Sequence, residues 1–256
     1  MSSAVTDPPR ADAAAESPLR DLALSRAGAI AVVLAGAPST RAMRFSIRVA
    51  LLGVGSVTIA VAVATTLWNG LGPGPLDVFI GAVRARTGLP LGATVWLVVG
   101  SMILASSLLG RRPGPGTVVS PLIIGAVMQA AATMLDSMDA PDALIARIVV
   151  HLVAIGAIGL GAGALIVSRL GAGSGELLAA AASDRSGRGE PRVRMAIELS
   201  WLVVGVALGG PVGLGTILLA LMIGPSVAVG HRIVHATVTR SRTRPVTSAA
   251  AVASAA

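Results

Sequence analysis

Six stretches of this chain, at about 46–69, 91–109, 117–135, 146–168, 195–210 and 214–231, are each apolar over close to the length that crosses a bilayer. A hydrocarbon core about 30 Å thick takes roughly 20 helical residues, so the pattern predicts a bundle of membrane-crossing helices. The last two stretches form one apolar region from Met195 to Gly230, too long for one span, and "GGPVGLG" at 209–215 is where it turns. A five-span arrangement, which fuses these two stretches or demotes one, stays open.

Composition points the same way. Of 256 residues, 54% are apolar and 12% charged, with a mean hydropathy of +0.82, so polar side chains are too few to cover a soluble domain. Aromatic residues are scarce, and the bulk is Ala, Gly, Val, Leu and Ile, side chains that let helices approach closely in lipid. The absence of cysteine removes disulfides, thiolate catalysis and soft-metal sites. The net charge of +8 is carried by arginines beside apolar runs. Cytoplasmic loops and anionic lipid headgroups account for that placement, and nucleic acid is not the expected partner.

Arginine placement also favours six spans. With the N-terminus inside, the cytoplasmic segments hold six arginines from Arg10 to Arg48, then Arg111 and Arg112, five from Arg169 to Arg194, and four from Arg232 to Arg244. Only Arg84, Arg86 and Arg147 fall outside, together with Asp136, Asp139 and Asp142. That distribution follows the positive-inside rule and predicts a bacterial plasma-membrane protein with both termini cytoplasmic. Residues 1–43 read as a flexible cytoplasmic arm, Pro- and Ala-rich at "DPPRADAAAESP", with an apolar run at 27–36 too short to span. A signal peptide is the alternative for that run, opposed by acidic residues upstream and by Pro38. The transmembrane domain is expected over 44–235 and a disordered tail over 236–256.

The chain repeats itself at an offset of 99 residues. Adding 99 takes Arg48 to Arg147, Gly72 to Gly171, Gly74 to Gly173, Asp77 to Glu176, Gly116 to Gly215 and Thr117 to Thr216. Two copies, at about 46–135 and 145–231, would each hold three spans, and an odd number makes the second copy enter the membrane from the opposite face. The predicted fold is therefore all-α: a polytopic helix bundle of about six spans, built as a 3+3 inverted repeat with short broken segments. Transporters of that organisation hold substrate between the halves near the midplane.

The stretches "GLGPGPLDVF", "RRPGPGTVVSPLIIG", "RLGAGSGELL" and "VRMAIELSWLVVGVALGGPVGLGTILLALMIGP" together resemble the YczE-like branch of the YitT/YczE bacterial membrane proteins, over about 44–232. The resemblance implies a multi-pass plasma-membrane protein and leaves the activity open. Two departures stand out. Pro75-Leu76-Asp77 replaces a family tendency to Pro-Trp-Asp, and Gly173-Ser174-Gly175-Glu176 a tendency to Gly-Pro-Arg-Asp.

Three acids are the candidate binding groups. Asp77 and Glu176 each follow a glycine break, at Gly72/Gly74 and Gly171/Gly173, where an acid suits the positive end of a helix dipole. Each either caps a helix at the membrane surface or lines a cavity at a discontinuous element. Glu198 lies in an apolar run four residues after Arg194, either paired with it one turn away or facing the bundle interior as a cation or proton site. Thr117 and Thr216 follow glycines at span starts, where they cap helices or help bind anions. His151 reads as an interfacial or packing residue, with a proton relay as the alternative, and His231 with His235, among arginines and without a carboxylate, is not expected to hold a metal.

No nucleophile–base–orienter set or metal cluster stands out, so neither an enzyme nor a cofactor is expected. The leading expectation is a secondary transporter or exporter of a small molecule. Its candidate binding residues are Asp77, Glu176, Glu198, Gly72, Gly74, Gly171, Gly173, Thr117 and Thr216. Its partners would be the bilayer, that small molecule, and either a membrane-protein partner or a second copy of the chain. The rival expectation is an accessory membrane protein that scaffolds a partner and transports nothing.

Overall fold

The computed structural model describes residues 43–243, and the apolar run at 27–36 and the tail from 244 onward lie outside the described residues. Among these, eight helices occur and no strand. They are α1 (Phe45–Trp68), α2 (Pro75–Thr87), α3 (Leu91–Leu108), α4 (Pro115–Leu135), α5 (Leu144–Ser168), α6 (Ser174–Ser186), α7 (Glu190–Ala207) and α8 (Leu214–Thr243). The protein is an all-helical polytopic bundle. Its last helix continues through Thr243, past the end of the membrane domain expected at 235.

Glycine and proline punctuate the chain. Gly74 and Gly114 precede helices that open on Pro75 and Pro115, where a missing N–H costs nothing. The short α2 and α6 close on Gly88 and Gly187 in the left-handed conformation. Asp77 and Glu176 sit in their first turns and Arg84, Arg86 and Arg185 in their last, each charge opposite to the dipole end it faces.

Five helices, α1, α3, α4, α5 and α8, are long and apolar enough to cross a membrane. The sixth expected stretch, 195–210, belongs to α7, which starts earlier, at Glu190, and gathers Glu190, Arg192, Arg194 and Glu198. Those charges keep α7 out of the spanning set by composition.

The core forms where α5 packs against both α1 and α8, and α1 against α4. At the α1–α5 crossing a Cβ on either Gly55 or Gly161 would lie 2.7 Å from the other's carbonyl oxygen, so only glycine permits the approach. The two helices run antiparallel. At one end Arg48 Nε donates to the Ser168 carbonyl at 2.7 Å, and at the other Asn69 Nδ2 donates to the Arg147 carbonyl at 2.8 Å.

The 99-residue offset recurs in the helix bounds: α2, α3 and the start of α4, moved by 99, fall on α6, α7 and the start of α8. Contacts recur with it. The Gly116 N–H donates to the Leu170 carbonyl at 2.9 Å, and the Gly215 N–H to the Leu71 carbonyl at 2.7 Å. Each glycine break is thus held by the helix start of the other half.

α7 lies along this frame. Its first half carries Arg194, which reaches Glu176 at the start of α6, beside the end of α5. Beyond its middle, Gly205 packs on the Phe79 backbone of α2, beside the end of α1. Because α1 and α5 are antiparallel, α7 runs from one end of the pair to the other, over about 27 Å at 1.5 Å per residue.

Candidate functional site

A cavity of about 360 Å³ lies between the two halves. Along α1 its wall runs from Leu52 to Val63, a length of about 16 Å of helix. Val, Ile, Leu and Met are the commonest lining residues, and the polar and charged side chains are Asp77, Thr117, Ser120, Ser174, Glu176, Arg194 and Glu198.

The cavity is built from matched positions. On α3 the residues Val95, Val99 and Met102 line it, and on α7, 99 residues later, so do Arg194, Glu198 and Trp201. Both triplets have the i, i+4, i+7 spacing that puts residues on one helix face. Ile59 and Ile158, Val63 and Ala162, and Asp77 and Glu176 are further lining pairs at the same offset. The first half supplies aliphatic side chains where α7 supplies a guanidinium, a carboxylate and an indole.

The structure brings Asp77, Glu176 and Glu198 to this one cavity, with Thr117, Gly171 and Gly173. Gly72, Gly74 and Thr216 are buried outside its lining. Gly72 has φ of 104°, and a Cβ there would stand 2.5 Å from the Gly213 nitrogen and 2.6 Å from Thr216 Oγ1. Its role is to let the break pack against the start of α8. Gly171 meets Thr117 in the same way, with 2.5 Å from a Cβ to Thr117 Oγ1.

The threonines differ from simple caps. Thr117 Oγ1 donates to the Ala172 carbonyl at 2.6 Å, bridging to the opposite break. Thr216 Oγ1 accepts from the Gly213 N–H at 3.3 Å and closes the first turn of its own helix. His151 is fully buried at that junction, with Nε2 3.1 Å from the Gly215 carbonyl oxygen. His231 and His235 have ring centroids 5.9 Å apart, and among the described residues no His/Cys/Asp/Glu group is placed to hold a metal ion.

Arg194 is the hub of the charged end. Its Nη1 lies 2.9 Å from Glu176 Oε1 and its Nε 3.0 Å from Glu198 Oε1. The pairing with Glu198 was legible as an i, i+4 spacing, but the bridge to Glu176 joins two helices and has no local signal. Trp201, one turn beyond Glu198, was also missed as a lining group. It packs on Phe79 with ring centroids 4.8 Å apart. The helix-face spacing of 194, 197, 198 and 201 was the available clue.

Asp77 is different. Among the described residues no side-chain hydrogen bond or ion pair reaches its carboxylate, which folds back toward Gly74. It also lines a second cavity with Trp68, Arg84 and Asp136, so it stands between the central cavity and that vestibule. Enclosure by protein atoms pushes its carboxyl up to about 7, desolvation being the cause. α2, which carries it, is not one of the five spanning helices.

The family model described as a family of unknown function, DUF6198, matches residues 46–232. A Haemophilus influenzae protein described as an uncharacterized protein is 29% identical over 177 residues, 69% of this chain and 77% of the relative. The uncharacterized membrane protein YczE of Bacillus subtilis is 28% identical over 174 residues, 66% of this chain and 79% of the relative. YyaS, from the same organism, is 21% identical over 184 residues, 72% of this chain and 88% of the relative. No solved structure matches the chain.

Proposed function

This chain belongs to the DUF6198 family, with the membrane protein YczE among its relatives, and on that premise we propose that it is a secondary transporter or exporter of a small molecule. The observation that carries the reading is the cavity between the halves, lined by acids at matched positions of the two breaks, Asp77 and Glu176, and by Glu198. Irregular backbone at membrane depth is tolerated where it lines a cavity or is buried in protein, and both breaks meet that condition.

The halves act as an inverted repeat. The antiparallel α1 and α5, and the reciprocal bonds of Leu71 with Gly215 and Leu170 with Gly116, support that arrangement. In this reading α7 is the sixth crossing, amphipathic because its charged face looks into the cavity, and both termini are cytoplasmic in a bacterial plasma membrane. Glu176 and Glu198 bind the solute or its coupling cation, while Asp77 exchanges a proton between the central cavity and the vestibule. The chemistry is displacement and protonation, without covalent catalysis or a cofactor.

The test is flux into proteoliposomes. Purified protein is reconstituted against a panel of labelled amines, carboxylates and neutral solutes, with an internal pH dye. Solute-dependent proton movement is expected, and loss of at least nine-tenths of it in the Asp77→Asn, Glu176→Gln, Glu198→Gln triple variant. Flux that survives the triple change overturns the role of these acids. Absence of flux across the panel, with one membrane protein co-purifying in stoichiometric amount, turns the reading to an accessory protein.

A further inference from the structure

The charge of the cavity restricts what can enter it. Its one guanidinium, Arg194, is already paired with Glu176 and Glu198 at 2.9 and 3.0 Å, so its positive charge is compensated before any solute arrives. Two carboxylates around one guanidinium leave an excess negative charge, to which Asp77 adds when ionised. An incoming anion would be repelled. A sugar-like neutral solute would leave hydroxyls unpaired against the wall from α1 and α3, which offers Leu52, Ile59, Val63, Val95, Val99 and Met102. A bare metal cation takes several oxygen ligands at once, and no such group of acids or histidines occurs among the described residues.

The remaining chemistry matches the site. Trp201, braced by Phe79 at 4.8 Å, presents an indole on the helix face that carries Glu198 one turn before it. An indole face beside a carboxylate is a recognised receptor for an ammonium group, by cation–π attraction added to ion pairing. The aliphatic wall from α1 and α3 then accommodates an apolar body. A volume of about 360 Å³ falls at the small end of small-molecule sites, which run about 300–1,000 Å³.

We propose that this cavity selects a monovalent organic cation with an apolar body, an amine or quaternary ammonium, whose charge meets Glu198 and Trp201. The inference rests on the reading of this cavity as the transport site, and its test separates the two because it measures binding without a gradient.

The full chain is placed in nanodiscs of uncharged-net phosphatidylcholine, and binding of labelled benzyltrimethylammonium is followed at equilibrium. Saturable binding is expected, displaced by the unlabelled cation but not by its uncharged carbon isostere neopentylbenzene, nor by phenylacetate. Glu198→Gln lowers affinity at least tenfold, and Trp201→Leu, which keeps every charge, lowers it several-fold. Failure of the folded wild-type protein to bind, or equal competition by the isostere or the anion, overturns the proposal, and so does wild-type affinity in Glu198→Gln. If one variant fails to fold, the other variant and the competition series on wild-type protein still decide. Cation binding with no flux overturns the transporter reading and leaves the selectivity standing. Flux of an anion or neutral solute without cation binding does the reverse.

Discussion

Asp77 is where one side chain most sharply sets a measurable property. Its folded-state pKa of about 7 lies above the ordinary carboxylate value of 3.8 because burial disfavours the charge. Between those two values the folded chain holds a proton that the unfolded chain has released, so folding takes up a proton and stability falls as pH rises. Above about 7 both states are ionised and the loss is complete. The slope is at most about 1.4 kcal/mol per pH unit. In thermal unfolding in detergent, the wild-type midpoint is therefore expected to fall relative to that of Asp77→Asn, neutral throughout, between pH 5 and pH 7.5. A gap between wild type and Asp77→Asn that does not change over this window would contradict the burial of an unpaired carboxylate. The acid was legible in the sequence from its place after a glycine break. Its isolation was not, because what surrounds it comes from other helices.

At the scale of elements, the two glycine breaks behave as sockets for the helix starts of the opposite half. Gly72, at φ of 104°, cannot carry a Cβ without meeting the Gly213 nitrogen and Thr216 Oγ1. Strain of that kind costs about 1–3 kcal/mol. Gly53, inside α1, has nothing within 4 Å of an added Cβ and an ordinary helical backbone. There alanine stabilises a helix by about 0.5–1 kcal/mol. Gly72→Ala is expected to lower the unfolding midpoint and Gly53→Ala to hold or raise it, both read from the same melts. Equal effects would show that the socket carries no strain. The sequence made the starts of α2, α4 and α6 legible through their Gly and Pro punctuation. It was less informative for α7, whose apolar second half hid a charged first turn, because the hydropathy of a stretch does not tell which face of a helix looks inward. The bridge made by Thr117 was not legible for a related reason: its hydroxyl bonds to a carbonyl 55 residues away, and local capping rules see only one helix.

For the whole molecule, composition and geometry give different numbers of crossings. Five helices qualify by length and hydropathy, while α7 runs from one end of the antiparallel α1–α5 pair to the other despite its charges. The 99-residue offset was legible as scattered identities. What it organises, a cavity with matched walls, required knowing which residues face each other across the halves. The two counts predict opposite sides for everything after α7. If α7 crosses, its flanking turns lie on opposite faces of the membrane. If it does not, they share one. The chain has no cysteine, so single cysteines can be introduced without a prior background of substitutions. Ser186→Cys at the end of α6 and the exposed Val212→Cys before α8 bracket the helix. With a membrane-impermeant maleimide applied to intact cells, Val212→Cys is expected to label and Ser186→Cys only after the membrane is opened. Labelling of both, or of neither, in intact cells would remove α7 from the crossing helices. The carboxylates of the cavity would then be reached from one face alone, and alternating access between inverted halves would lose its structural basis.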